Sequence, residues 1–367
     1  MFRLADLVAK GFSDTAMIKL RKKKEEDRFG DRDWTAWLTW LVRDVRVEDT
    51  FREYIQKQTA KTLLLTWMQN FSQNLPEMNK PGAKTIADLV PKRNNLDEPE
   101  GSAIVIGRGP SVFKKNHLKM LVESDYRGTV FCTDGILIDA LKAGVVPEKY
   151  KNFLAVTVDG NREKIVKWYD DPLIDEHGKG IKAVLSTNVA HNVYERCRKA
   201  GIEVYWFHPL FDDYRSNESF SRLMKLMTTT EEHKRGCPSV SCGGNTGTTC
   251  WVLSHALLRH SPTCLIGIDL GYPEGMPLEQ THYFSGLMDA TKGNMQMVRS
   301  MYREVVNPGG ESAYADLVFW HYREAFLEMA AEVNPKFKTI NATGGGTLFG
   351  ENIEWMDFGE FLKRYNK

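Results

Sequence analysis

Between Ala103 and Asp269 the chain repeats one unit: a short apolar run, a loop, then a stretch of helix length. The apolar runs are Ala103–Gly107, Thr129–Thr133, Phe153–Val158, Lys182–Ser186, Glu203–Phe207 and Thr263–Ile268. Helices are expected over Gly135–Ala143, Arg162–Trp168, Ala190–Ala200 and Thr246–Arg259, and again near Tyr314–Val333. Short runs rich in β-branched residues mark strands covered on both faces. Strands alternating with helices predict an α/β fold, a Rossmann-like and mostly parallel sheet with helices on both faces. Right-handed crossovers bring successive strand ends to one edge. Open sheets of this kind bind ligands beyond those carboxyl ends.

The residues expected at that edge are polar. After the first run come Gly107, Arg108, Gly109, Pro110 and Ser111. The glycines permit a tight turn and close approach of a ligand to the main chain. Pro110 presets a first helical turn, and amides at such a start attract phosphate. The second run ends at Thr133-Asp134-Gly135 and the third at Thr157-Val158-Asp159-Gly160. Ser186-Thr187-Asn188 follows the fourth, His208 the fifth and Asp269 the sixth. A second glycine loop, Gly243, Gly244, Asn245, Thr246, Gly247 and Thr248, precedes a helix and serves either phosphate contact or tight packing. Asp134 and Asp159 suit Mg²⁺, which takes oxygen ligands and keeps waters and substrate phosphates. They equally suit helix capping. His191 and His208 are the acid–base candidates, because imidazole titrates near neutrality, with His282 behind them.

Other readings are weaker. The second loop lacks the lysine of a Walker A motif. The first has Val112 at the third glycine position of a dinucleotide fingerprint. Asp31-Arg32-Asp33, a DxD tripeptide, lies in a charged segment beside Arg21–Lys24 and Glu25–Asp27 and reads as surface. Trp34, Trp37, Leu38 and Leu41, and then Leu63, Leu64, Trp67, Met68 and Phe71, recur at helical spacing and predict buried stripes. The six cysteines form no CxxC pair, and Cys237 and Cys242 lack partners at zinc spacing. A net charge of +1 points to neither nucleic acid nor membrane as partner. No run approaches the ~20 apolar residues of a membrane span. With no signal-peptide pattern at the start, the expectation is a cytoplasmic protein.

The 367 residues divide into a helical N-terminal region (1–100), a nucleotide-binding domain (101–272) and a helical C-terminal segment packing on it (273–367). The polar stretch Pro91–Gly101 marks the first boundary, and the polar stretch Phe211–Pro238 reads as a lid or insertion.

Taken together, AIVIGRGPS, CTDGILIDALKAGVVPEKY, LAVTVDG, GGNTGTT and LIGIDLGY resemble the DUF115 superfamily, over roughly Gly101 to Tyr272. That superfamily holds MptE-like 6-hydroxymethyl-7,8-dihydropterin diphosphokinases and motility-associated Maf glycosyltransferases. The GxGPS turn is also similar to that of bacterial sialyltransferases, which use CMP-sugars. The resemblance implies that Gly107, Gly109, Pro110 and Ser111 cradle a nucleotide. It places Asp134 and Asp159 near its phosphates or their metal, and Gly244, Asn245, Gly247 and Thr248 along the same cleft. The diphosphokinases carry TDLDG where this chain has Thr157-Val158-Asp159-Gly160, one carboxylate fewer. The Asn341-Ala342-Thr343-Gly344-Gly345-Gly346 run resembles the NATEGG of Maf proteins, with Gly344 in place of the acid. The expectation is a transferase acting on a nucleotide-activated, possibly CMP-linked, sugar and a glycan or protein acceptor. The alternatives are an MptE-like diphosphokinase using ATP, Mg²⁺ and a pterin, and a non-catalytic nucleotide-binding scaffold.

Overall fold

The computed structural model describes residues 48–91, 98–212, 214 and 219–365. The charged runs at 21–27, the DxD tripeptide, the apolar positions at 34–41 and most of the stretch 91–101 lie outside them. In chain order the strands are β1 (Lys84–Thr85), β2 (Ala103–Ile106), β3 (Thr129–Thr133), β4 (Asn152–Thr157), β5 (Lys182–Ser186), β6 (Glu203–Leu210), β7 (Ser239–Ser241) and β8 (Thr263–Ile266). There follow β9 (Tyr272–Pro273), β10 (Arg303–Val306), β11 (Ser312–Ala315), β12 (Thr339–Asn341) and β13 (Ile353–Trp355). The main helices are α1 (Glu48–Met78), α2 (Pro110–Lys114), α3 (His117–Glu123), α4 (Asp134–Lys142), α5 (His191–Lys199), α6 (Phe220–Met227), α7 (Thr246–Val252), α8 (Leu317–Ala331) and α9 (Phe358–Arg364).

The main sheet runs β1-β6-β5-β4-β3-β2-β8-β12-β13, with β7 beside the far end of β6. Every pairing in it is parallel. The alternation of strand and helix therefore gives the α/β, Rossmann-like architecture that it predicts. Strict parity divides the core. Ile104, Ile106, Val130, Cys132, Phe153, Ala155, Ala183 and Leu185 face one layer, with Phe71 of α1, Leu121 of α3, Leu137 of α4, Val193 of α5 and Phe361 of α9. Val105, Phe131, Leu154, Val156, Val184 and Leu265 face the other, with Trp251 of α7 and Phe326 of α8. The central strands are buried along their whole length, which is why they read as unbroken apolar runs. Each fully buried side chain of this size contributes roughly 1.5–3 kcal/mol.

From β2 the chain steps outward through β3, β4, β5 and β6, then returns to add β8, β12 and β13 on the other side of β2. The chain order thus reverses between β2 and β8, a topological switch point. The sheet also recruits strands from outside 101–272. β1 comes from the N-terminal region, and β12 and β13 come from the C-terminal segment, which is therefore not wholly helical. A separate antiparallel sheet, β10-β11-β9, fills 272–315, where no strand is expected. The stretch expected as a lid holds α6, whose Met224 packs into the core. The α1 stripe is shifted from its expected position: Phe71 is buried, but Leu63 and Met68 are exposed, and Asn70 and Asn74 take buried places.

Candidate functional site

At the switch point the Gly107–Ser111 turn meets the end of β8. The Gly107 and Gly109 amides donate to the Ile266 and Gly267 carbonyls, both at 2.8 Å. A Cβ on Gly107 would lie 2.4 Å from the Gly267 oxygen, and one on Gly109 only 1.8 Å from Asp269 Oδ2. Ser111 donates to Asp269 twice, through its hydroxyl at 2.8 Å and its amide at 3.3 Å. The turn therefore already holds an anion, the protein's own carboxylate, where the sequence reading puts a phosphate. Burial pushes Asp269 up to about 7, against the pull of those Ser111 donors and with the Glu311 charge adding to the rise. The NATGGG turn closes over this point: Gly345 approaches both Asp269 and Ser111, and Gly346 (φ +74°) sits where a Cβ would meet the Asp269 carbonyl at 2.2 Å. Arg108 leaves the turn sideways, pairing with Asp139 at 3.3 Å and stacking on Trp168. Pro110 opens α2 as expected.

Farther along the edge, the ends of β3 and β4 place Asp134 and Asp159 close enough for charge to couple them. Asp134 is buried; Oδ1 accepts from the Gly135 amide at 2.8 Å, and Oδ2 has no hydrogen-bond partner. Burial pushes its carboxyl up to about 7; the Gly135 amide opposes this, the Asp159 charge adds to it, and the Thr157 hydroxyl lowers it. Asp159 is exposed and accepts from the Asn161 amide at 2.9 Å. Asn161, and not Asp159, caps the following helix; Asp134 stands in the first turn of α4 behind the N-cap Thr133 and takes up one free amide there, that of Gly135. Among the described residues no three His, Cys, Asp or Glu side chains gather as a metal site. Two acids with one unpartnered buried oxygen do fit Mg²⁺, which completes its shell with water and substrate phosphate. All six cysteines are buried free thiols, and burial pushes Cys242 up to about 12, away from the thiolate that zinc requires.

The two histidines differ in access. His191 Nδ1 lies 2.9 Å from Asn74 Oδ1 in the contact between α5 and α1. His208 is fully buried on β6, and burial lowers it to about 4, so it is neutral and cannot exchange a proton with a substrate through solvent. Its Nδ1 lies 2.8 Å from Thr187 Oγ1, and Thr187 donates onward to Asn188 Oδ1 at 3.0 Å. His282 is exposed, on the antiparallel side, and its amide donates to the Tyr272 hydroxyl.

The second glycine loop reaches the same edge. Asn245 caps α7, accepting from the Thr248 amide at 2.9 Å and donating to Thr248 Oγ1 at 2.8 Å. Gly243 and Gly244 both have positive φ, and a Cβ on Gly244 would lie 2.3 Å from the Tyr322 ring. Gly247 lets α7 pack on Ile268, where a Cβ would meet Cδ1 at 2.6 Å. Thr246 begins the helix. Between this loop, α8 and α1 lies a cavity of about 320 Å³, bordered by Val158, Asn188 and Leu210 at the strand ends.

No protein-family model matches the chain, and no curated protein is significantly similar to it. One solved structure that it resembles is the Maf glycosyltransferase from Magnetospirillum magneticum AMB-1, at a TM-score of 0.54 and 13% sequence identity. The match covers 82% of this chain and 40% of that one, so the chain spans two-fifths of its neighbour's length. Likeness at this level shows a related fold.

The structure therefore brings Asp134, Asp159, Thr187, Asn188, Gly243 and Gly244 to one edge. It sets Asp269 and Ser111 in an internal contact and His208 in the packing, with His191 part-exposed between α5 and α1. Sequence reasoning finds the helical stripe of α1 but misses its two asparagines. Asn70 Nδ2 donates to the Gly160 and Asn188 carbonyls, both at 2.9 Å. Asn74 Nδ2 donates to the Thr187 and Val189 carbonyls at 3.2 and 2.8 Å. One turn of helix thus fixes the loops after β4 and β5. The available signal is two asparagines on the buried stripe that Trp67 and Phe71 define, since buried amides need partners.

Proposed function

We propose that the chain is a glycosyltransferase-like enzyme that acts on a nucleotide-activated sugar, with a CMP-linked donor the first to test. The observation that carries this is the edge itself: two coupled carboxylates, a positive-φ glycine loop and a cavity share the carboxyl ends of parallel strands. The fold likeness to a glycosyltransferase supports the same reading at the level of architecture. Transfer to an acceptor hydroxyl forms a bond from that oxygen to the anomeric carbon. It breaks the bond to the phosphate oxygen, and the acceptor's proton must go to a base.

Asp134 is the group at this edge suited to take that proton, because a buried carboxyl poised near 7 matches the working pH. Gly243 and Gly244 border the cavity at this edge, and main-chain amides there suit developing negative charge on the departing phosphate. Asp134 and Asp159 are also the residues that would hold Mg²⁺, which supplies neutralisation of phosphate charge when bound. Chelation separates the two roles. Turnover that survives chelator but disappears in Asp134→Asn assigns Asp134 to the proton, and turnover abolished by chelator assigns the pair to the metal. Binding calorimetry with CMP, UDP and ATP tests the donor class. Preference for ATP with a pterin alcohol, AMP release under Mg²⁺ and indifference to CMP and UDP would replace this reading with diphosphoryl transfer.

A further inference from the structure

We propose that the cavity between α1 and α8 is a ring subsite, which takes a flat heteroaromatic ring of the substrate and reads a hydrogen-bond acceptor on the ring's edge through Asn188. The inference rests on the reading of the chain as a nucleotide-dependent transferase and says which part of the ligand this space receives.

The walls argue for a ring. Trp67 of α1 and Tyr322 of α8 both border the cavity, with Phe211 and Met329 beside them. Trp67 and Phe211 already pack against each other, tilted by 45° with 4.8 Å between ring centroids. Among the described residues no lysine or arginine lines the space, and the Glu328 carboxyl does, so no described side-chain cation there pairs with a phosphate. Its volume, about 320 Å³, is at the small end for ligand pockets and fits one bicyclic or smaller ring system. Asn188, Ser241, His321, Tyr322 and Glu328 bring polar groups to a lining that is otherwise mainly apolar, and its aromatic faces suit a planar π system.

The polar floor argues for an edge acceptor. Thr187 Oγ1 bridges Asn188 Oδ1 at 3.0 Å and His208 Nδ1 at 2.8 Å; with its one proton given to Oδ1, it accepts from Nδ1. In this arrangement Oδ1 is the engaged end of the Asn188 amide. Nδ2 has no acceptor among the described residues. Asn188 is 2% exposed, and Thr187 and His208 are fully buried, so the orientation is locked by packing. Asn70 holds the Asn188 main-chain carbonyl from the other side at 2.9 Å. An amide nitrogen at the cavity wall, on a residue only 2% exposed and with no acceptor of its own among the described residues, favours a ligand that presents a ring nitrogen or carbonyl oxygen there and disfavours one that presents a donor. His208 and Thr187 are positioning residues in this account.

The test is titration of the full chain with CMP, UMP, AMP and 6-hydroxymethylpterin, each compared with ribose 5-phosphate as a ringless control. At least one ring compound is expected to bind tenfold or more tightly than the control. Ala325→Phe, which fills the cavity from α8, and Trp67→Ala should each remove that margin and leave binding of ribose 5-phosphate unchanged. Trp67→Phe should keep most of it, and thermal melting verifies that each variant is folded. Asn188→Asp, which puts an acceptor against an acceptor, should weaken the ring compound at least tenfold. Should ribose 5-phosphate bind as well as the nucleotides, or should the cavity variants leave nucleotide affinity intact, the ring subsite is overturned while the transferase reading stands. Binding of the pterin alone supports the subsite but moves the reaction to diphosphoryl transfer. Failure of every probe to bind removes both proposals.

Discussion

Asp134 carries the strongest pH signature of the site. Its folded-state pKa of about 7 lies above the ordinary carboxylate value, so the native state holds a proton that the unfolded chain releases. The stability this gives is complete below about pH 4 and is lost as pH rises through 7. Asp134→Asn has no charge to bury. It is therefore expected to match the parent near pH 4 and to exceed it above pH 7 by about 2–4 kcal/mol in chemical denaturation. Equal stability differences at both pH values would place the charge elsewhere. At Gly109 the constraint is space and not backbone angle, because its φ of −64° is open to any residue. Gly109→Ala must push its methyl into Asp269 Oδ2 and is expected to destabilise by about 1–3 kcal/mol in thermal or chemical unfolding. Asp269→Asn should leave that clash in place, whereas Asp269→Ala combined with Gly109→Ala should recover part of the loss.

At the scale of elements, α1 is joined to the sheet by two amides as well as by apolar contact. Asn70→Ala leaves the Gly160 and Asn188 carbonyls without a donor, which costs about 1–3 kcal/mol, and Asn74→Ala acts likewise on Thr187 and Val189. Hydrogen exchange should show faster opening at 158–161 and 187–190 in the double variant, with β2 and β8 unchanged. Uniform acceleration across the sheet would mean that α1 supports the whole fold and not these loops. The strands themselves were readable in the sequence because two-sided burial writes them as unbroken apolar runs. β3 and β5 fall on Thr129–Thr133 and Lys182–Ser186, as predicted from that rule. β1, β7 and β9 escape it because two- and three-residue strands leave no periodic trace. The candidate site was legible where its residues sit at a strand end, as at Asp134 and Asp159. It was illegible where long-range contact decides the role. Nothing local to Ser111 announces Asp269, nothing in His208 announces its burial, and Asn70 acts on loops far along the chain.

At the scale of the molecule, the parallel sheet does the positioning. Each crossover returns the chain to the same side, so acids, amides and glycines distant in sequence meet along one rim. The switch point, where such folds most often bind ligands, is closed here by Asp269, Ser111 and the NATGGG turn. The open space lies several strands away, beyond β4 to β7. Among the described residues no helix is long and apolar enough to cross a membrane. The central claim is that this displaced cavity and the neighbouring carboxylates form one ligand site. A crystal soaked with CMP measures it most directly. The account predicts density with the ring between Trp67 and Tyr322 and the phosphate toward Asp134 and Gly243; density at the cleft beside Arg299 and Tyr302, or none along the strand ends, would contradict it.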